Sequence, residues 1–275
     1  VPGDADRAKA LTVIQEVFKD NYALRDPGKR AEFSKMLITQ GKETSDDPAS
    51  AYVLFQEAGR MATSVGDVET AMRSADELAK RFDVDSGRIK LSMLETLNSK
   101  VRTPQARLQL MGAAEALVND AIRDDDYQLA TQLANLAMAI ARKTRNATYV
   151  KRSQSLQADI RELEKRFDQA QTAADLLKED PDNPEANLQM GWFLCCAKGQ
   201  FEKGLPLLSK GSDPVLSKLA VSEIAAPVKA SAQVELGDAW WELAEKEDGG
   251  IQRQLRSHAA TWYEKSLPQL KGLTK

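Results

Sequence analysis

Residues 230–246, ASAQVELGDAWWELAEK, followed over 251–266 by IQRQLRSHAATWYEKS, decide the fold. Leu236, Gly237 and Trp240 in the first segment, and Ala259 and Tyr263 in the second, recur at spacings of three and four, which a helix turns onto one face. A small residue in each segment lets two helix axes approach closely. The large apolar residue one turn on fills the space beside the crossing. The link Glu247-Asp248-Gly249-Gly250 is short, so the two helices must run antiparallel.

The same arrangement extends back along the chain. Met190, Gly191 and Leu194 precede the turn Gly199-Gln200, after which come Phe201, Gly204 and Leu208, with one residue inserted before that turn. Ala58-Gly59 and Ala62 precede Gly66-Asp67, then Val68, Ala71 and Ala75; Asp125-Asp126-Tyr127 precedes Ala130, Ala134 and Ala137. Punctuation is clear. Asp26, Asp47, Thr103 and Asn183 each stand directly before a proline, an N-cap followed by the one residue whose missing N–H costs a helix nothing at its first position. Asp67, Asp85 and Asp126 read as further caps, and Gly41, Gly66, Gly199 and Gly211 as helix ends. These signals predict helices over about 5–24, 27–43, 48–64, 67–82, 86–99, 104–123, 126–143, 147–179, 184–197, 200–209, 214–224, 227–246 and 250–269. No segment alternates apolar and polar residues with β-branched enrichment, so no strand is expected.

The pattern W-x2-L-G-x2-Y followed by A-x3-F defines the tetratricopeptide repeat (TPR). Leu236-Gly237 with Trp240, and Ala259 with Tyr263, match it. The stretch from Asn183 to Leu270 resembles two degenerate TPR units, and 48–82 and 104–143 resemble further ones. The tryptophan at position four of that pattern is replaced by Phe55, Ala114, Asn187 and Gln233, and unit length drifts, so a compact bent solenoid is expected rather than a regular superhelix. Gly191-Trp192-Phe193-Leu194, Lys203-Gly204-Leu205-Pro206-Leu207-Leu208, Asp238-Ala239-Trp240-Trp241 and Trp262-Tyr263-Glu264-Lys265 together resemble a family of uncharacterised exported bacterial helical-repeat proteins, some with carbohydrate-binding or lectin-like domains. That resemblance implies export, to the periplasm or cell surface, and a scaffold role. The expected fold is therefore all-α, an α-solenoid of antiparallel TPR-like helix pairs with about thirteen helices. Residues 1–145 form an N-terminal helical-hairpin region; residues 146–275 form a long helix followed by the TPR-like C-terminal region, the two possibly one continuous solenoid.

Composition agrees with that class. Hydrophobic residues make up 42% of the chain and charged residues 29%, with a net charge of −3, and the two signs are mixed as on solvated helix faces. No Lys/Arg cluster marks a nucleic-acid surface. No apolar run reaches the roughly 20 residues that span a bilayer. The chain opens at Val1-Pro2-Gly3 without a signal-peptide pattern, as a mature or trimmed chain would. The only cysteines, Cys195 and Cys196, are adjacent; about 100° apart on a helix, they are read as two small packed residues and not as a disulfide.

One segment stands apart. Leu156, Ile160, Leu163, Phe167, Ala170, Ala174 and Leu177 alternate spacings of four and three, a heptad seam that either packs within the chain or joins two copies.

Catalytic chemistry is sparse. The single histidine, His258, precedes Ala259 on a packing helix and reads as a surface or half-buried structural residue. No H-E-x-x-H, phosphate loop or calcium loop occurs. The acidic runs Asp124-Asp125-Asp126 and Glu179-Asp180-Pro181-Asp182 suit helix ends. No enzyme activity, cofactor or metal is expected, and the chain is expected to be a monomer. The function expected is a non-enzymatic scaffold binding a protein or peptide; the alternative is a carbohydrate- or polymer-binding module using the C-terminal tryptophans. Along the first helix of a TPR pair, residues two, five, nine and twelve face the concave side. Here they are Glu185, Leu188, Trp192 and Cys195, then Ser231, Val234, Asp238 and Trp241. The candidate binding residues are therefore Glu185, Leu188, Trp192, Asp238 and Trp241, aromatics flanked by charges as at interaction hot spots.

Overall fold

A computed structural model describes residues 1–270, and these are all-α: fourteen α-helices, a π-helical segment and one 3-10 turn, with no strand among them. The helices are α1 (Asp4–Val17), α2 (Lys19–Tyr22), α3 (Pro27–Glu43), α4 (Pro48–Val65), α5 (Val68–Arg81), α6 (Ser86–Lys100), α7 (Pro104–Arg123), α8 (Tyr127–Thr144), α9 (Ala147–Glu179), α10 (Pro184–Trp192), α11 (Phe201–Leu208), α12 (Pro214–Ile224), α13 (Ala230–Ala244) and α14 (Gly249–Ser266). Helices pack on their neighbours in sequence, the solenoid-like arrangement expected. The expected caps form: Asp26, Asp47, Asp67, Asp85, Thr103, Asp126 and Asn183 each accept a backbone N–H of the first turn. Gly66 and Gly199 take the left-handed conformation that ends a helix, with φ of 83° and 66°.

Three expectations need correction. The first helix breaks at Phe18, which raises the helix count from about thirteen to fourteen. The break turns Tyr22 edge-on to Phe33, 5.3 Å between ring centres. Gly41 is inside α3 rather than at its end, because the Phe55 ring lies 2.7 Å from where a Cβ would be. The span 184–197 is not α-helical throughout; Phe193–Ala197 forms a π turn, closed by Lys198 N–H donating to the Phe193 carbonyl at 3.1 Å. That turn absorbs the residue inserted before Gly199.

The chain divides into two compact units, residues 1–154 and 155–275, so the division falls within α9. In the first unit, hairpins α3–α4, α4–α5 and α7–α8 pack closely, and helices two apart in sequence also touch: α3 with α5, α4 with α6, α5 with α7, α6 with α8. Small residues at the crossings make this possible, with Ala58, Ala62, Ala71 and Ala75 fully buried. Its buried carboxylates are paired. Glu57 accepts from the Tyr22 hydroxyl at 2.8 Å and from Arg60, and Glu77 takes Lys80 at 3.0 Å.

In the second unit α9 buries Ile160, Leu163, Ala170 and Ala173, and Phe167 packs against Phe193 with ring centres 5.8 Å apart. The heptad seam is thus buried within the chain at Ile160, Leu163 and Ala170, with Ala173 buried in place of Ala174, and stays half-buried at Leu156, Phe167 and Leu177. Helices α10 and α11 cross at Gly191 and Gly204, where a Cβ on Gly191 would stand 2.7 Å from the Leu208 amide nitrogen. Helices α13 and α14 form the other close pair, with the Tyr263 ring 2.5 Å from the Cβ position of Gly237.

Candidate functional site: the groove between α12 and α13

Helix α12 starts at an Asp213 cap, whose carboxylate accepts from Val215 and Leu216 N–H at 2.8 and 3.0 Å, with Pro214 at the first position. Its sequence, PVLSKLAVSEI, is apolar nearly all round. Leu216, Leu219, Ala220 and Glu223 are buried, whereas Val215, Val221 and Ile224 are 71%, 54% and 51% exposed. A helix apolar on every face has too few neighbours in this unit. Helix α12 rests mainly on α11 and touches α13 only lightly.

The light contact leaves an open apolar groove of about 730 Å³. Leu216 and Leu219 line it from α12; Leu236, Ala239 and Leu243 line it from α13. Lys218 and Ser222 form its α12 rim, and Glu235, Glu242 and Lys246 its α13 rim, with Pro227 at the connection. All five rim residues are exposed. None of the four charged ones joins an ion pair among the described residues.

One polar cluster holds the α12 wall. Glu223, 7% exposed, accepts from the Trp240 indole N–H and lies 2.9 and 3.1 Å from His258 Nε2 through its two oxygens. Phe201 stacks on the His258 ring, and Trp240 meets both rings edge-on. A buried carboxylate needs such partners, because losing either leaves an uncompensated charge in the core. His258 is half-buried, one of the two placements its position suggested. Burial, then the nearby Glu223 carboxylate, pushes the Cys195 thiol up to about 12, and burial also raises Cys196, so neither is a ready nucleophile. The connection after α12 is fixed by Gln233 donating to the Pro227 carbonyl at 2.9 Å and by Gln269 donating to Val228 at 2.9 Å.

The residues expected to bind do not line this groove. Glu185 is exposed but committed to Ser212 Oγ at 2.8 Å, and Leu188 is half-buried against Gly211. Trp192 is 8% exposed, its ring covered by the Arg166 guanidinium at 4.4 Å, so it does not open onto a concave face. Cys195 is fully buried beside Gly204. On α13, Ser231 is exposed, Val234 is half-buried, and Asp238 accepts the Tyr263 hydroxyl at 2.8 Å. Trp241 is 38% exposed, with Arg256 5.0 Å over its ring. The groove follows the neighbouring stripe of α13, Ala232-Glu235-Ala239-Glu242-Lys246. The signal that could have found it is α12 itself, a short helix with large apolar residues on opposite faces.

Among the described residues no cluster of His, Cys, Asp or Glu could hold a metal ion, and no helix is long and apolar enough to cross a membrane. No known protein family, curated protein or solved structure matches the chain.

Proposed function

We propose that this protein is a non-enzymatic TPR-type scaffold that binds a protein or peptide partner in the groove between α12 and α13. One observation carries the reading: an open apolar trough whose rim charges form no ion pair among the described residues. Apolar floors with polar rims are what helical peptides dock into. Export to the periplasm or cell surface belongs to the same proposal and rests on the sequence resemblance alone. Polysaccharide binding is less well supported. Trp240 and Trp262 are buried at 0% and 5% exposure and Trp192 at 8%, leaving Trp241 as the one tryptophan with ring surface to offer.

Affinity capture from an extracytoplasmic fraction tests the proposal, comparing the wild-type chain with Ala239→Trp, which fills the groove floor. A partner retained by the wild type and lost on filling is the expected result. Partners retained equally by both would place binding elsewhere.

A further inference from the structure

We infer that the occupant of this groove is an amphipathic helix that carries basic residues one heptad apart along the edge facing α13. The inference rests on the peptide-binding reading above and adds the partner's chemistry. Glu235 and Glu242 are seven residues apart, two helical turns, and so stand on one line about 10 Å long along the rim. Both are exposed, and neither joins an ion pair among the described residues. Lys246 closes the same rim at its far end, one turn beyond Glu242, so the acidic part of the rim is the stretch from Glu235 to Glu242. The opposite rim, on α12, offers Lys218 and the neutral Ser222.

The floor specifies the rest. Leu219, Leu236, Ala239 and Leu243 form an apolar strip with no hydrogen-bonding side chain, so the ligand must bring its own satisfied backbone, as a helix does. A helix lying along α13 buries its apolar stripe on that strip. It then presents one flank to Glu235 and Glu242, as e and g charges face each other in helix pairs. Lys or Arg at i and i+7 completes the two acids, and an acidic residue on the other flank faces Lys218. Rim charges of this kind set orientation and partner choice more than affinity.

The test uses two fluorescein-labelled synthetic peptides of about 18 residues, about 27 Å long as helices. Both carry the same leucine stripe. One has Lys at heptad spacing on one flank and neutral Gln on the other; its counterpart has Glu in place of each Lys, so turning it end for end brings no cation to the acidic rim. Fluorescence anisotropy is read against the full-length chain, its Glu235→Lys/Glu242→Lys variant and Ala239→Trp. Neither exposed acid forms an ion pair or side-chain hydrogen bond among the described residues, and far-UV circular dichroism checks that the variant keeps its helix content. The Lys-flanked peptide should bind the wild type roughly threefold to tenfold better than its counterpart at low salt. The double variant should invert that preference, and 0.5 M salt should erase it. Equal binding of both peptides, lost with Ala239→Trp, overturns the charge rule and leaves the peptide-binding reading standing. If neither peptide binds while Nile red enters the wild type and not Ala239→Trp, the groove holds a small apolar ligand and both readings fail. A concentration-dependent dimer abolished by Ala239→Trp makes a second copy the occupant and overturns the inference.

Discussion

Between residues 27 and 150, Met36 and Leu108 are the exposed large hydrophobic side chains, at 36% and 38%; between 215 and 241, Val215, Val221, Ile224, Val228 and Trp241 are exposed by 38% to 79%. Both stretches are built by packing helices on their sequence neighbours. In the first unit α3 to α6 each also meet the helix two further on, which closes the apolar stripes there, while Val13 and Val17 on α1 stay 57% and 69% exposed. In the second, α12 interrupts the succession of close pairs. It leans on α11, meets α13 lightly, and is anchored at its end by Glu223. A repeat architecture therefore stores stability where successive helices close on one another, and offers a surface where one step is left open.

All four tryptophans lie in the second unit, so their fluorescence reads that unit alone, whereas far-UV circular dichroism reads both. The largest expected effect comes from Trp240→Ala. Trp240 is fully buried, and its loss should cost about 3–5 kcal/mol. In chemical denaturation the fluorescence midpoint should fall, with most of the helical signal keeping its wild-type midpoint. A shift common to both signals would show that the two units unfold as one and would break the comparison.

Glycine crossings sharpen it next. A Cβ on Gly191 meets the Leu208 backbone, which cannot step aside, while one on Gly59 meets the ends of the Met93 and Ser74 side chains. Gly191→Ala should cost about 1–3 kcal/mol and Gly59→Ala less, measured by urea unfolding.

Caps should cost the two units equally. Asp67→Ala in α5 and Asp213→Ala in α12 each remove an N-cap carboxylate, worth about 1 kcal/mol. Asp213→Ala should additionally weaken peptide binding, since α12 is a groove wall; an equal stability loss without any effect on binding would detach α12 from function.

Mild acid should separate the units, because in the second the raised carboxyls outnumber the lowered one, Asp182, which Lys210 holds down. In the first, the Ser50 hydroxyl and amide hold Asp47 below the usual carboxylate range. For Glu77, burial works upward but Lys80 and Lys42 together outweigh it. Groups lowered on folding contribute stability above their unfolded pKa and lose it as pH falls through the folded one. In the second, Asp159 and Glu247 are raised, chiefly by burial, with Asp248 and, for Glu247, Glu162 adding repulsion. Their contribution is full below the unfolded pKa and is lost as pH rises through the folded value. Lowering the pH from neutral toward the carboxylate range should thus favour the tryptophan-reported transition relative to the helical signal, and Asp159→Asn should flatten that trend.

Helices, caps and crossings were legible in the sequence because they depend on local spacing. Asp or Thr before Pro, and small residues at three- and four-residue intervals, carry their meaning wherever the chain goes. Phe18 was not legible as a break, since only its contact with Phe33 across a turn explains it. The π turn at 193–197 showed in sequence as one residue too many, without saying how the chain absorbs it. The groove was the least legible. Trp192 and Trp241 were chosen by repeat position; Arg166 packs over Trp192, Trp241 keeps 38% exposure beside Arg256, and the groove opens on the neighbouring stripe with Glu235 and Glu242. Glu223 gave no local sign of its role, because its partners lie 17 and 35 residues away.

The π turn has one more consequence. Within it Cys195 and Cys196 are each fully buried, and burial holds both thiols in the unreactive protonated form. The chain has no other cysteine. A thiol-modifying reagent therefore meets nothing to react with until the second unit opens, and its labelling rate becomes a native clock for that opening. Under fast reclosing the rate reports the free energy of the open state, and at high reagent concentration it reports the opening step itself. The wild-type chain carries this stopwatch without engineering, and any ligand that closes α12 against α13 should slow it.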